Sequence, residues 1–131
     1  MANEITVQAS LAFQRDIIAL QAAGTKPITQ SPGTKGLLNQ LSVSNVTGGS
    51  AVKLIDTTAP PITSLGYLFV KNLDSSLNVD LALDNAFANI FAKLKPQEFC
   101  LLPLNATTVP SLYTRASAVG PVGVLVGAAE I

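Results

Sequence analysis

Histidine and tryptophan are absent from this 131-residue sequence, and it contains a single cysteine, Cys100. One cysteine cannot form an intrachain disulfide, so the fold must rest on its core. Metal sites need clustered histidine, cysteine or carboxylate ligands, and nucleophilic catalysis needs a serine or cysteine beside a base. With these residues scarce, and without a glycine-rich phosphate-binding motif, the sequence predicts no enzyme activity, no metal site and no cofactor.

Charged residues are also scarce. They make up 12% of the chain, about half of the roughly 25% that is usual for soluble domains. The formal net charge is zero, and the eight lysines and arginines are scattered along the sequence. Nucleic-acid and anionic membrane surfaces require a basic cluster, so neither is an expected partner. The low charge fits either an uncharged polar surface or a surface partly covered by other protein chains.

Long apolar runs are missing as well, since none approaches the ~18 residues that a membrane span requires. Residues 1–4 lack the positive stretch and apolar run of a signal peptide, so we expect synthesis in a cytoplasm without export. Hydrophobic residues nevertheless make up 48% of the chain, which argues against disorder. The length predicts one domain over residues 1–131.

The clearest periodic pattern lies at the start of the chain. Five apolar residues alternate with mostly polar neighbours: Ile5, Val7, Ala9, Leu11 and Phe13. This period of two predicts a long N-terminal strand or arm over residues 1–15. Residues 16–24 could continue a strand or form one helical turn. Residues 25–36 are the least patterned and predict a long surface loop or a loose strand.

Turn-forming glycine, proline, asparagine and serine recur at short intervals through the rest of the chain. Short apolar runs between them predict strands near residues 39–45, 51–55, 65–72, 78–83, 91–94, 98–104, 112–117 and 122–128. With the first strand this makes about nine short strands. The sequence therefore predicts an all-β protein, an antiparallel β-sandwich or a barrel.

One segment is ambiguous between helix and strand. Its apolar residues at helical spacing are Phe87, Ile90, Phe91 and Leu94. Asp84 could cap such a helix and Pro96 would end it, so periodicity slightly favours a helix over residues 85–95. A strand pair with a turn around residues 85–89 competes with it.

Several short motifs resemble those of small tailed-bacteriophage virion proteins of the capsid decoration, or cement, type. They are Lys-Asn-Leu-Asp at 71–74, Val-Asp-Leu at 79–81, Lys-Leu-Lys-Pro-Gln-Glu at 93–98 and Leu-Tyr-Thr-Arg-Ala-Ser at 112–117. The resemblance implies a jelly-roll-like sandwich with a strand at 91–94. Gln97 stands where those proteins have a turn glycine, which predicts a type I turn, because type II needs a positive φ there.

The resemblance further implies a homotrimer on the outer surface of a bacteriophage head, made in the host cytoplasm, that binds the major capsid protein across capsomer junctions. A neck, tail or fibre-base protein is the alternative within the virion. A carbohydrate-binding jelly roll is an alternative of another class, for which exposed aromatics or a calcium site would be expected. The candidate interface residues are Ile5, Val7, Phe13, Tyr113 and Arg115.

Overall fold

The structure, a computed structural model, describes residues 4–15, 18–29, 36–55, 65–106 and 111–130. These residues contain ten strands and one short 3₁₀ turn, Gly48–Ser50, and no α-helix. The chain divides into two compact units, Met1–Thr34 and Lys35–Ile131. The all-β class predicted from the sequence is confirmed.

The first unit is an antiparallel hairpin. Strand β1 covers Glu4–Arg15 and strand β2 covers Ile18–Thr29. Their register runs without interruption from Glu4 opposite Thr29 to Arg15 opposite Ile18. Of the segment 25–36, expected to be a long loop or a loose strand, residues 25–29 belong to β2 and Gly36 begins the next strand; residues 30–35 lie outside the described part. Cross-strand pairing extends β2 through a segment whose local signal is weak.

The second unit contains eight strands. They are β3 Gly36–Val43, β4 Val52–Lys53, β5 Leu65–Asn72, β6 Val79–Ala82, β7 Ile90–Leu94, β8 Phe99–Ala106, β9 Tyr113–Ala116 and β10 Val122–Ala129. One sheet has the order β3-β10-β5-β8 and the other β4-β9-β6-β7. Each of the eight segments predicted after the first strand overlaps one of these strands, and together the two sheets form the predicted antiparallel β-sandwich. The described residues contain ten strands where about nine were expected, and the additional one is β2, in a region where a strand was one of two alternatives.

The strand pairing in the sandwich is nested. β6 pairs with β7, β5 with β8, β4 with β9 and β3 with β10, all antiparallel. Two further pairs, β10 with β5 and β9 with β6, join these hairpin-like pairs side by side into the two sheets. The last four strands of the sandwich thus pair in reverse order with its first four, and the β6–β7 connection joins the two sets.

The core lies between the two sheets and consists almost entirely of aliphatic side chains. Along β10 the residues alternate between buried and half-buried, and Val122, Val124 and Val126 are at most 1% exposed. Leu68 and Val70 of β5 face the same core, which also includes residues of the second sheet. Burying each such side chain contributes about 1.5–3 kcal/mol. Burial therefore alternates with a period of two along β10, although the sequence of this strand does not alternate between apolar and polar residues.

The ambiguous segment 85–95 is a turn followed by a strand, as the resemblance implied and contrary to the helical spacing. Val79 of β6 lies opposite Leu94 of β7 in the register. Asp84 caps the turn and not a helix: its carboxylate oxygens accept hydrogen bonds from the backbone N–H groups of Ala88 (3.0 Å) and Asn89 (2.8 Å). Pairing with β6 outweighs the helical periodicity because it gives the backbone N–H and C=O groups of β7 hydrogen-bond partners.

The turn at Lys95–Glu98 differs from the expected type I turn. Gln97 has a φ of 65°, and the backbone N–H of Glu98 donates to the carbonyl of Lys95 at 3.0 Å. A positive φ at this position is the mark of a type II turn. The expectation was wrong because the Gln97 side chain is held in place: its Nε2 donates to the carbonyl oxygens of Leu73 (2.9 Å) and Asp74 (3.0 Å). These bonds offset a backbone cost of about 1–2 kcal/mol.

Candidate functional site

The residues proposed from the sequence as interface candidates belong to two different units. Ile5, Val7 and Phe13 lie on β1 of the hairpin, and their side chains are outside the described part of the structure. Tyr113 and Arg115 lie on β9 of the sandwich and are both half-buried. Their role at an interface stays a prediction, but the structure shows what Arg115 contacts within the chain.

Arg115 belongs to an ion-paired group on the outer surface of the β4-β9-β6-β7 sheet. In the register, Asp80 lies directly opposite Arg115 on one side and Lys93 on the other. Arg115 Nε donates to Asp80 Oδ2 at 3.2 Å, and Lys93 Nζ lies 3.7 Å from Asp80 Oδ1. The Asp80 side chain is only 3% exposed. A carboxylate this deeply buried needs such partners, because an isolated buried charge is costly.

The ring of Phe87 packs against this group through Arg115. The guanidinium carbon of Arg115 lies 4.5 Å from the centroid of the Phe87 ring, and Phe87 is 6% exposed. This is the geometry of a cation–π contact. Phe87 reaches it with a φ of 56°, in the turn that Asp84 caps. We call Asp80, Lys93 and Arg115, with Phe87 beside them, the ion-paired face. The buried carboxylate of Asp80 has two positive partners, but its Oδ1 accepts no hydrogen bond.

The backbone hydrogen bonds to Asp84 also affect its titration. Hydrogen bonds from two backbone N–H groups hold the pKa of the Asp84 carboxyl below its usual range. The bond from Ala88 has the largest effect, and the bond from Asn89 adds to it. Asp74 behaves in the same way, because the backbone N–H groups of Leu77 and Ser76 hold its pKa below the usual range. Both carboxylates therefore act as turn caps, and their ionised form is the one that stabilises the fold.

Two of the motifs behind the resemblance, at 71–74 and 93–98, contact each other and form one corner of the sandwich. The buried side chain of Asn72 places its Nδ2 2.8 Å from the carbonyl oxygen of Leu77 and 3.1 Å from those of Leu94 and Lys95. Its Oδ1 accepts from the N–H of Asp74 at 2.9 Å. With the bonds from Gln97 already described, these contacts tie two turns together. The motifs are structural.

The outer surface of the other sheet is of a different kind. Since Leu68 and Val70 face the core, the alternate residues Tyr67, Phe69 and Lys71 of β5 face outward. The register places Phe69 opposite Leu101 of β8. The same alternation brings the following residues to this surface: Leu38 of β3, Tyr67 and Phe69 of β5, Phe99 and Leu101 of β8, and Leu125 of β10. We call these six residues the apolar sheet face.

Two members of the apolar sheet face are largely exposed: Leu38 is 74% exposed and Phe99 is 59% exposed. The other four are half-buried. The rings of Phe69 and Phe99 lie 5.8 Å apart, centroid to centroid, and form a ridge across β5 and β8. Among the described outward residues of this sheet, Lys71 is the one charged side chain. Gln40 and Ser42 of β3 lie on the same side and are exposed. The surface therefore presents mainly aliphatic and aromatic groups on β5, β8 and β10, and its uncharged polar side chains lie on the edge strand β3.

Sequence reasoning missed the apolar sheet face, although a signal for it exists. A sandwich sheet with one wet face should alternate apolar and polar residues. Residues 67–70 and 99–102 are instead apolar at nearly every position, and residues 122–129 contain only valine, leucine, alanine and glycine. The adjacent strands β5, β8 and β10 thus share this pattern. Apolar residues on both sides of three neighbouring strands indicate a sheet that is covered on both sides.

Cys100 is the free cysteine of the chain. It is half-buried on β8, packs against the core, and burial raises the pKa of its thiol. In the part of the chain that the structure describes, no group of three or more histidine, cysteine, aspartate or glutamate residues could hold a metal ion.

Comparisons with protein-family models, with curated proteins and with solved structures found no match for this chain. Within the described ranges, no helix is long and apolar enough to cross a membrane. The inference of function therefore depends on the two outer surfaces of the sandwich.

Proposed function

We propose that this chain is a structural virion protein that stabilises a bacteriophage head by binding the major capsid protein across capsomer junctions. The observation that carries the proposal is the apolar sheet face, which contrasts with the ion-paired face of the opposite sheet. Phe99 and Leu38, on the two edge strands of this sheet, expose more than half of their apolar side chains to water. A surface of this kind is suited to contact with other protein.

The size of the face supports this reading. Four strands about 4.8 Å apart and eight residues long at about 3.3 Å per residue cover roughly 500 Å². Gln40, Ser42 and Lys71 share this area, so the apolar part is smaller. The largest apolar patch on a typical monomer is about 300–600 Å², and such patches often serve as interaction sites. The sheet is also a rigid platform, because its inner side is packed into the core.

The strand order adds a second line of support. We interpret the nested pairing of β3 with β10, β4 with β9, β5 with β8 and β6 with β7 as that of an eight-stranded jelly roll, an architecture found in viral capsid domains. The corner formed by residues 71–74 and 93–98 is the part of the fold that carries the resemblance to decoration proteins. The fold permits the proposed role but does not by itself imply it.

The proposed mechanism is mechanical. Each copy contributes a modest contact to the shell, and many copies on one head act together, because opening a capsomer junction would require several contacts to break at once. A low surface charge suits this role, because burying apolar groups in a contact avoids the free-energy cost of removing water from charged groups. No reaction is involved.

The experiment is an add-back to heads assembled without this chain. Purified chain is added to such heads, and the temperature at which they release DNA is measured. The expected result is a higher release temperature that saturates as the sites fill, with heat-unfolded chain as the inactive control. Heads that neither bind the chain nor gain stability would overturn the proposal.

A further inference from the structure

We infer that the apolar sheet face binds the same face of a second copy of this chain, so that two sandwiches pair around a two-fold axis. This goes beyond the proposed function, because it concerns how copies pair. In the pair the second copy occupies the apolar sheet face, so the shell contact of the proposed function then falls on other surfaces of the two sandwiches. It uses only the described residues of the sandwich, and it departs from the trimer that the resemblance implies.

The first argument is electrostatic. Lys71 is the one charge among the described outward residues of the apolar sheet face, and it lies near one end of β5. A charged partner surface would lose its water against this face without gaining a counter-charge. The ion-paired face is therefore a poor partner, and a ring in which each copy places its apolar face on the next copy's charged face is disfavoured. The same face on a second copy matches, as in an isologous dimer.

The second argument comes from the register. Phe69 lies opposite Gly127 of β10, and Gly127 lies opposite Leu38 of β3. At this level β10 contributes no side chain, whereas Phe69 and Phe99 form a ridge beside it. A two-fold axis along the strands places β5 of one copy over β10 of the other at the same height. Phe69 of each copy then meets Gly127 of the other, and two twisted sheets pack face to face about 10 Å apart.

The third argument is the area. Two faces of roughly 500 Å² bury about 1,000 Å² in total, which is the lower limit for a specific interface. Pairing through this surface is therefore reversible, and a micromolar dissociation constant is expected. Homodimer interfaces are also more apolar than other protein interfaces, as this face is.

The test measures the mass of the purified full-length chain by sedimentation as its concentration is raised from roughly 1 µM to about 100 µM, the range where such an interface fills. The wild-type chain should rise from 13.6 kDa towards twice that mass. Phe99→Glu should weaken pairing at least tenfold, because it places a charge in the interface. It should still fold, since residue 99 lies opposite Lys71 in the register and opposite charges on paired strands attract.

Leu83→Glu is the matched control. Leu83 is 58% exposed, nearly the same as Phe99 at 59%, but it lies beside the β6–β7 connection of the other sheet. The same change there should leave pairing unaltered. Circular dichroism of each variant at low concentration shows that the sandwich is intact.

Gly127→Val distinguishes pairing in the two-fold geometry from non-specific hydrophobic association. The φ of Gly127 is not positive, and valine suits a strand. An added apolar group would strengthen non-specific association, whereas it obstructs the seat of Phe69 in the two-fold pair. The expected result is weaker pairing.

Three results would overturn the inference: a wild-type chain that stays monomeric, a mass of three chains, or equal weakening by Phe99→Glu and Leu83→Glu. A monomeric chain that binds phage heads through Phe99 would assign the face to the shell protein and leave the proposed function standing. A dimer that never binds heads would do the reverse.

Discussion

Replacing Asp80 with asparagine removes the negative charge of the ion-paired face and keeps the shape of the side chain. Asp80 is 3% exposed, whereas its partners Arg115 and Lys93 are 22% and 55% exposed. The substitution leaves two positive charges on the outer surface of the sheet, one on each side of residue 80. Arg115 is affected more, because it is nearer to Asp80 and less able to be solvated.

The magnitude follows from that geometry. Breaking a fully buried ion pair costs about 3–5 kcal/mol, and breaking an exposed one costs about 0–1 kcal/mol. The Asp80–Arg115 contact lies between these limits, and asparagine can still accept one hydrogen bond from Arg115. We expect Asp80→Asn to lower the free energy of unfolding by about 2 kcal/mol, a large share of the ~5–15 kcal/mol typical of a domain.

Urea denaturation followed by far-ultraviolet circular dichroism measures this change. Lys93→Met is the control and should cost less than about 0.5 kcal/mol, because its contact is longer and half exposed. Combining Asp80→Asn with Arg115→Leu should cost at least ~1 kcal/mol less than the two single changes together, since the second change removes the unpaired charge. A loss below about 0.5 kcal/mol for Asp80→Asn, or strict additivity in the double variant, would refute the reasoning.

Three further outcomes can be checked in the same assay. Gln97→Gly should be more stable than Gln97→Ala by about 1 kcal/mol, because both lose the side-chain bonds and only glycine adopts a φ of 65° freely; equal stabilities would show that the turn changes its geometry. Thr114→Val should be neutral or stabilising by up to ~1 kcal/mol, because the fully buried Thr114 Oγ1 has no hydrogen-bond partner, and a clear loss would reveal a partner. The pKa of Asp84 is lower in the folded chain than the ordinary 3.8, so its stabilisation is present above that pH and is lost as the pH falls through the folded value. Asp84→Asn should therefore be less stable than wild type at neutral pH and should lose less on acidification; parallel pH profiles of the two proteins would contradict this.

The strands of the sandwich could be predicted because two local signals agree. Alternating apolar residues mark the side that faces the core, and glycine, proline and asparagine mark where each strand stops. Val79 and Leu81, on either side of Asp80, show the first signal, and the turn capped by Asp74 shows the second. Both signals lie within a few residues of the feature that they predict.

Features that depend on distant residues could not be predicted in this way. Gln97 holds a positive φ because its side chain reaches carbonyl groups more than twenty residues away. Arg115 lies opposite Asp80, 35 positions earlier in the chain, and only the register shows it. The apolar sheet face likewise appears only when β5, β8 and β10 become neighbours.

The proposed role is tested most directly by locating the chain on intact phage particles and counting its copies, by imaging the particles and by quantitative mass spectrometry of their proteins. The proposal predicts many copies on the outer surface of the head, at the junctions between capsomers. Particles that lack the chain, or that carry it only at the neck or tail, would contradict the assignment as a head-stabilising protein.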